Sequence, residues 1–160
     1  MPKRLTSLMS ETKLSQTPET ALSQAKLHSD GCVYRLLRLP PTAITLAAGV
    51  VAEAAMPFSA LLADKDEVTL LLPDDACQEF ARRLRHATLS EATYRLIAFD
   101  IELDPALVGF MALVSGALAR DGVAILTYAA FSRDHVVVRE RDFDKAMRTL
   151  RHLQQLARGG

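Results

Sequence analysis

The segment from Asp104 to Gly109 combines residue types that suit the recognition of a small carboxylate. Pro105 favours the first turn of a helix, which we predict to run from there to about Arg120. The free N–H groups at a helix N-terminus and the positive end of its dipole favour an anion. Gly109 lacks a Cβ and allows close approach of a ligand or of another backbone segment. Asp104 suits either a helix cap or a contact to a ligand ammonium group.

Further polar groups are expected near this turn. Thr127 and Tyr128 stand close to the end of the next predicted strand and lie toward the same end of the sheet. An exposed strand end explains these two residues equally well, just as ordinary helix packing explains Gly109. The candidate ligand-binding residues are Asp104, Pro105, Leu107, Val108, Gly109, Thr127 and Tyr128.

Catalytic and metal-binding patterns are weak throughout the sequence. Asp134 and His135 are neighbours in a predicted strand, so their side chains point to opposite faces and do not form a catalytic dyad. The sequence contains no GxSxG elbow and no phosphate-binding loop. The histidines and cysteines lack the spacing of metal ligands: His28, His86, His135, His152, Cys32 and Cys77. We therefore expect a protein that is not an enzyme and that uses no cofactor or metal.

The composition is that of a soluble globular protein. The 160 residues are 49% apolar and 24% charged, with 19 basic and 19 acidic side chains. A net charge of zero disfavours extended contacts with nucleic acid or anionic lipid. The longest apolar stretch, residues 43–58, is too short to span a bilayer. Two isolated cysteines fit a reducing compartment, so we expect a cytoplasmic protein.

The order of predicted elements indicates the fold. From residue 31 the pattern reads strand, helix, strand, strand, helix, and this order then repeats. It is typical of an α+β protein with two tandem ferredoxin-like units, each an antiparallel sheet with helices on one face. The predicted strands are 33–39, 58–62, 67–72, 93–101, 123–130 and 135–139, with helices near 42–55, 76–84, 105–120 and 142–157.

This pattern divides the chain into three parts. Residues 31–90 form the first unit and residues 91–160 the second. The strand over residues 123–130 is almost continuously apolar and is predicted to be central in its sheet. Residues 1–30 are rich in polar side chains and are expected to form a flexible arm, in which Thr17 and Pro18 begin a short helix.

The second unit contains three distinctive stretches, which read LDPALVGFMA at residues 103–112, LARDGVAIL at 118–126 and AAFSRDHVVV at 129–138. Together they resemble the ACT domain family, in particular small bacterial proteins with two ACT-like units. The first unit is similar only in its strand pair, and its opening is degenerate. Where many relatives carry Ser-Thr after the second strand, this chain has Ala129 and Ala130.

The resemblance implies a non-catalytic regulatory module. Such a module binds an amino acid or a similar small carboxylate at the strand-helix turn, at an interface between units or subunits, and is commonly a homodimer. The alternative is a ligand-free interaction module that docks a protein partner with the same surface. RNA binding on the open sheet face ranks last, because residues 133–138 lack the stacking aromatic side chains of RNA-recognition domains.

Overall fold

The computed structural model describes residues 16–159. Within that range the chain forms five α-helices, eight strands and two short 3-10 turns, at Pro41–Ala43 and Glu140–Asp142. The elements in chain order are α1 Pro18–Gln24, β1 Lys26–His28, β2 Tyr34–Leu39, α2 Ile44–Ala54, β3 Ala60–Ala63, β4 Val68–Pro73, α3 Asp74–Glu79, β5 Thr88–Leu89, β6 Tyr94–Asp100, α4 Phe110–Arg120, β7 Ile125–Ala129, β8 Asp134–Arg139 and α5 Phe143–Gly159.

The strands form two similar antiparallel sheets that are joined side by side. In the first unit the order is β3-β4-β2, with β5 also pairing with β2. In the second unit the order is β7-β8-β6, with β1 also pairing with β6. The two sheets meet where Tyr34 of β2 pairs with Tyr94 of β6. The predicted α+β fold with two tandem ferredoxin-like units is confirmed.

Each unit has its own apolar core between the sheet and its helices. Alternate residues of β6 and β8, such as Ile97, Phe99 and Val136, are fully buried against α1, α4 and α5. The first unit packs residues such as Leu70 and Val50 in the same way. This period-two alternation is what a sheet covered by helices on one face requires. No described helix is long and apolar enough to cross a membrane.

The other face of the sheet carries a third apolar cluster that spans both units. Tyr34, Leu71, Leu96 and Val137 are buried in it, and none of the five described helices contributes to the cluster. Phe58, in the loop before β3, packs against this face: its ring centroid lies 6.2 Å from that of Tyr34. The helix-free face is therefore largely covered within the chain itself.

The position of one strand differs from the sequence-based expectation. The apolar strand β7 is an edge strand in the described part of the chain, because it pairs only with β8. Its larger apolar side chains are half-buried: Ile125 packs toward the helices, and Leu126 and Tyr128 pack in the third cluster on the other face. The continuous hydrophobicity thus reflects partial burial on both faces and not a central position in the sheet.

Residues 16–30 belong to the folded second unit, where a flexible arm was expected. Ala21 and Leu22 of α1 are fully buried, and β1 extends the second sheet at β6. The predicted helix start is present, since Thr17 and Thr20 form a reciprocal capping box. The few apolar residues of this segment are sufficient to hold it on the second unit, because they pack against α4, α5 and β6. Residues 1–15 of the predicted arm lie outside the described residues.

Candidate functional site

The turn that precedes α4 is a compact backbone structure. The Asp104 carboxylate accepts a hydrogen bond from the Ala106 N–H (2.9 Å), and the Leu107 N–H donates to the Asp104 carbonyl (2.9 Å). Asp104 therefore caps its own turn and not the first turn of a long helix. Gly109 follows with φ +94°, in the left-handed region, and is the N-cap of α4.

The helix consequently starts at Phe110, five residues later than the predicted start at Pro105. A residue with φ +94° cannot continue a right-handed helix, so Gly109 separates the turn from α4. The N–H groups of the first helical turn have no partner within the helix. The expected helix N-terminus is thus present, but it begins after Gly109.

A pocket of about 250 Å³ lies between this turn and the loop that joins β7 to β8. The Leu103 N–H donates to the Ser132 carbonyl (2.8 Å) and ties the two sides together. The lining residues are Leu103, Asp104, Pro105, Leu107, Phe110, Ala129, Ala130, Phe131, Ser132, Arg133 and Asp134.

The pocket wall carries charges of both signs. Asp104 and Asp134 contribute carboxylates, and Arg133 contributes a guanidinium that also contacts Asp100 (Nε to Oδ1, 3.3 Å). Burial raises the pKa of Asp134, and the adjacent His135 partly opposes that rise. A wall of this kind matches a zwitterion, whose ammonium group pairs with carboxylates and whose carboxylate pairs with a guanidinium or with backbone N–H groups.

Only part of the predicted residue set lines this pocket. Asp104, Pro105 and Leu107 line it, on the side of the pocket formed by the turn. Val108 points outward and is 86% exposed. Gly109 contacts the N-terminal segment, because a Cβ built on it would lie 3.5 Å from Cγ of Pro18.

The two predicted β7 residues lie away from the pocket lining. Thr127 is exposed, and Tyr128 packs on the helix-free face with its ring centroid 6.0 Å from that of Phe58. Burial raises the pKa of the Tyr128 phenol. The pocket is instead completed by residues 129–134, which follow them in sequence. The sequence predicted the turn at residues 132–134. It did not show that this turn lies opposite residues 103–110, because that depends on the order of the strands.

The N-terminal segment covers one edge of the turn. The Gln16 side-chain amide donates from Nε2 to the Glu102 carbonyl (3.2 Å) and accepts at Oε1 from the Asp104 N–H (3.1 Å). The Asp104 N–H is therefore already satisfied by the protein. Sequence reasoning did not connect Gln16 with residues almost ninety positions away.

Two apolar side chains stand exposed at this end of the second unit. Val108 is 86% exposed and Phe131, in the pocket wall, is 96% exposed. Phe131 lines the pocket, and Val108 directly follows the lining residue Leu107. This surface, Val108 and Phe131 with the pocket mouth, is called the apolar rim below.

The first unit has a poorer version of the turn. The corresponding connection between β2 and α2 contains Pro40 and Pro41, neither of which has a backbone N–H. It also lacks a glycine. The capacity for anion recognition at a strand-helix turn is thus greater in the second unit.

Among residues 16–159 no group of three or more His, Cys, Asp or Glu side chains is placed to hold a metal ion. Asp134 lines the pocket, whereas His135 packs on the helix-free face with its ring centroid 4.9 Å from that of Phe58. The two neighbours face opposite sides of the sheet, as expected for adjacent strand residues.

The sequence of the second unit matches a known family. Residues 89–152 match the ACT domain family. This segment contains most of the second unit, including the turn and the pocket wall. No curated protein matches the chain.

Solved structures match both units together. A protein of unknown function from Vibrio cholerae, VC0802, described as a possible transport protein, aligns with a TM-score of 0.63 at 19% identity over 85% of this chain and 94% of its own. Protein Atu0741 from Agobacterium tumefaciens gives 0.64 at 19% identity over 81% and 89%. The regulatory subunit of aspartate kinase from Thermus thermophilus gives 0.61 at 15% identity over 80% and 97%. At these identities the likeness concerns the fold.

Proposed function

We propose that the protein is a non-catalytic regulatory module that binds an amino acid or a similar small carboxylate. Residues 89–152 match the ACT domain family, and the described chain is similar in fold to the regulatory subunit of an aspartate kinase. The binding site is the pocket between residues 103–110 and 129–134. The observation that carries this proposal is the coincidence of a small pocket, charges of both signs and the strand-helix turn in one place.

The chemistry of the pocket fits the proposed ligand. Arg133 and the N–H groups at the start of α4 attract a carboxylate, while Asp104 and Asp134 attract an ammonium group. Leu103, Leu107 and Phe110 supply apolar wall for a side chain. Pro105, Val108 and Gly109 shape the turn, and the proposal no longer needs Thr127 or Tyr128 as contacts.

The apolar rim suggests how binding is transmitted. We propose that two copies of the chain pair through Val108 and Phe131, so that the ligand lies close to the subunit boundary. A ligand that contacts residues on both sides of such a boundary stabilises the dimer relative to the monomer. The compartment that fits this role and the free cysteines is the cytoplasm.

A second candidate function rests on a different observation. The Gln16 side chain already accepts a hydrogen bond from the Asp104 N–H, and Ala129 and Ala130 have no hydroxyl group to offer a ligand. These features favour a module that has lost its ligand and docks a protein partner through the apolar rim.

The test is a thermal-shift screen against the twenty amino acids and common small carboxylates, followed by calorimetric titration of each hit. A ligand at 100 times its Kd stabilises the fold by about 2.7 kcal/mol, which raises Tm by roughly 5–11 °C in a protein of this size. Arg133→Ala and Asp104→Asn remove pocket charges, and Asp104→Asn keeps an oxygen for the Ala106 N–H. Exposed Arg139→Ala is the matched control.

The expected result is one selective ligand class whose affinity falls about tenfold or more in Arg133→Ala and is unchanged in Arg139→Ala. Phe131→Asp is expected to shift the protein toward monomer in sedimentation analysis. Absence of any hit at millimolar concentration would contradict the ligand proposal and favour the docking module. A hit that binds Arg133→Ala as well as it binds the unmodified chain would place the ligand elsewhere.

A further inference from the structure

A second cavity, of about 460 Å³, lies on the opposite side of the second unit from the helix-free face, between β1, β6 and α5. Its wall includes His28 and Ser29 at the end of β1, Arg95 of β6, and Arg148 and Arg151 of α5. The pairing of His28 with Ala98 places the end of β1 beside β6. None of these residues belongs to the pocket near the turn, so the cavity is a separate site.

The cavity concentrates positive charge in a protein with no net charge. Arg95, Arg148 and Arg151 line it, whereas Asp144 is the single acidic residue among the described residues of the lining. Within residues 16–159 none of the three arginines has a carboxylate within ion-pair distance, although Arg35, Arg83 and Arg133 each have one. The described lining therefore has an excess of two positive charges.

Two buried donors in the cavity wall lack partners. In the described structure Arg95 Nε and Ser29 Oγ are shielded from solvent and make no hydrogen bond. Both atoms lie behind the cavity surface, because a water molecule in the cavity cannot reach them. Arg95 is also held in place, because its guanidinium carbon lies 4.3 Å from the centre of the Phe143 ring.

From this geometry we infer that the cavity binds a small organic molecule that carries a phosphate monoester. Such a group has a charge of about −1.5 to −2 at neutral pH and several strong acceptor oxygens, which matches the excess of guanidinium groups in the lining. Guanidinium groups bind phosphate oxygens in bidentate pairs. The volume exceeds that of a phosphate alone, and Leu27 and Met147 provide apolar wall for the organic part.

The test uses three probes at constant ionic strength: inorganic phosphate, phenyl phosphate and benzoate. Binding to the full chain is measured by calorimetric titration. Arg148→Gln and Arg151→Gln remove exposed charges of the cavity, so both variants are expected to fold. Arg82→Gln is the matched control, because it removes the same charge from an exposed position of the first unit.

We expect phenyl phosphate to bind more tightly than inorganic phosphate or benzoate. Arg148→Gln and Arg151→Gln are each expected to weaken the binding of phenyl phosphate about tenfold, while Arg82→Gln leaves that binding unchanged. No binding of phenyl phosphate at millimolar concentration would overturn the inference. Benzoate binding as tightly would overturn the assignment of a phosphate, and inorganic phosphate binding as tightly would overturn that of an ester. An equal loss in Arg82→Gln would show attraction to overall charge and not to this cavity.

Discussion

Gln154 holds the N-terminal helix on the second unit, and its removal is expected to weaken the fold. It is the buried polar residue of α5, and its Nε2 donates to the carbonyls of Leu22 (2.9 Å) and Ala25 (2.7 Å). Both carbonyls lie at the C-terminal end of α1, where backbone acceptors lack helical partners. In Gln154→Met the side chain keeps a similar length and loses the donor. Two buried carbonyls then remain without this partner.

Each unsatisfied buried group costs about 1–3 kcal/mol, and partial compensation by water lowers the sum, so we expect a loss of about 2–4 kcal/mol in the free energy of unfolding. For a protein of this size that corresponds to a fall in Tm of roughly 4–16 °C. Urea denaturation and calorimetry measure the change, and hydrogen exchange is expected to show faster exchange in α1 than in β8. Gln155→Met, at the exposed neighbouring position, is the control. A Gln154→Met variant within 0.5 kcal/mol of the Gln155→Met variant would refute this account of how α1 is held.

Two further predictions follow from burial. Burial raises the pKa of the Cys77 thiol to about 11, so only about 0.1% of it is thiolate at pH 8. Cys77 is therefore expected to react with a thiol reagent only when the protein unfolds, and far more slowly than the partly exposed Cys32. Equal reaction rates of Cys32→Ser and Cys77→Ser with the reagent would contradict this. Burial lowers the pKa of His135 in the folded protein below its ordinary value of 6.5, so the unfolded chain takes up a proton more readily than the folded protein. The free energy of unfolding that is present above pH 6.5 is therefore partly lost as the pH falls through the folded pKa. The difference in unfolding free energy between the unmodified chain and His135→Phe is expected to shift against the unmodified chain between pH 7.5 and 5.5, and a constant difference would refute it.

Elements with strong internal patterns were predictable from the sequence. The alternation of Ile97 and Phe99 and the run Val136 to Val138 identify β6 and β8, and each helix of ten or more residues was expected near its observed place. The short strands β1 and β5 were not expected, because two or three residues carry no periodic signal. Their conformation depends on partners distant in sequence, at β6 and β2.

The candidate site was predictable only on the side formed by the turn. The residue types at 104–109 predicted a carboxylate site at a helix start, and the structure places Asp104, Pro105 and Leu107 in a pocket wall. Thr127 and Tyr128 were both proposed as contacts, although neighbouring strand residues face opposite sides of a sheet and cannot share one pocket. The far wall of the pocket, residues 129–134, is tied to the turn by the hydrogen bond from the Leu103 N–H to the Ser132 carbonyl. No local sequence pattern predicts that bond.

The attachment of residues 16–30 to the second unit has a consequence for how the chain folds during translation. The first unit is inserted within the second, so Leu22 and its partner Gln154 are separated by 132 residues. At a synthesis rate of about 5–20 residues per second, the ribosome needs roughly 7–26 s to produce that partner after Leu22. A seven-residue helix is too short to persist alone in water. The first unit can therefore fold while the N-terminal segment waits, with Ala21 and Leu22 as an unprotected apolar site that a chaperone can recognise until the last helix emerges.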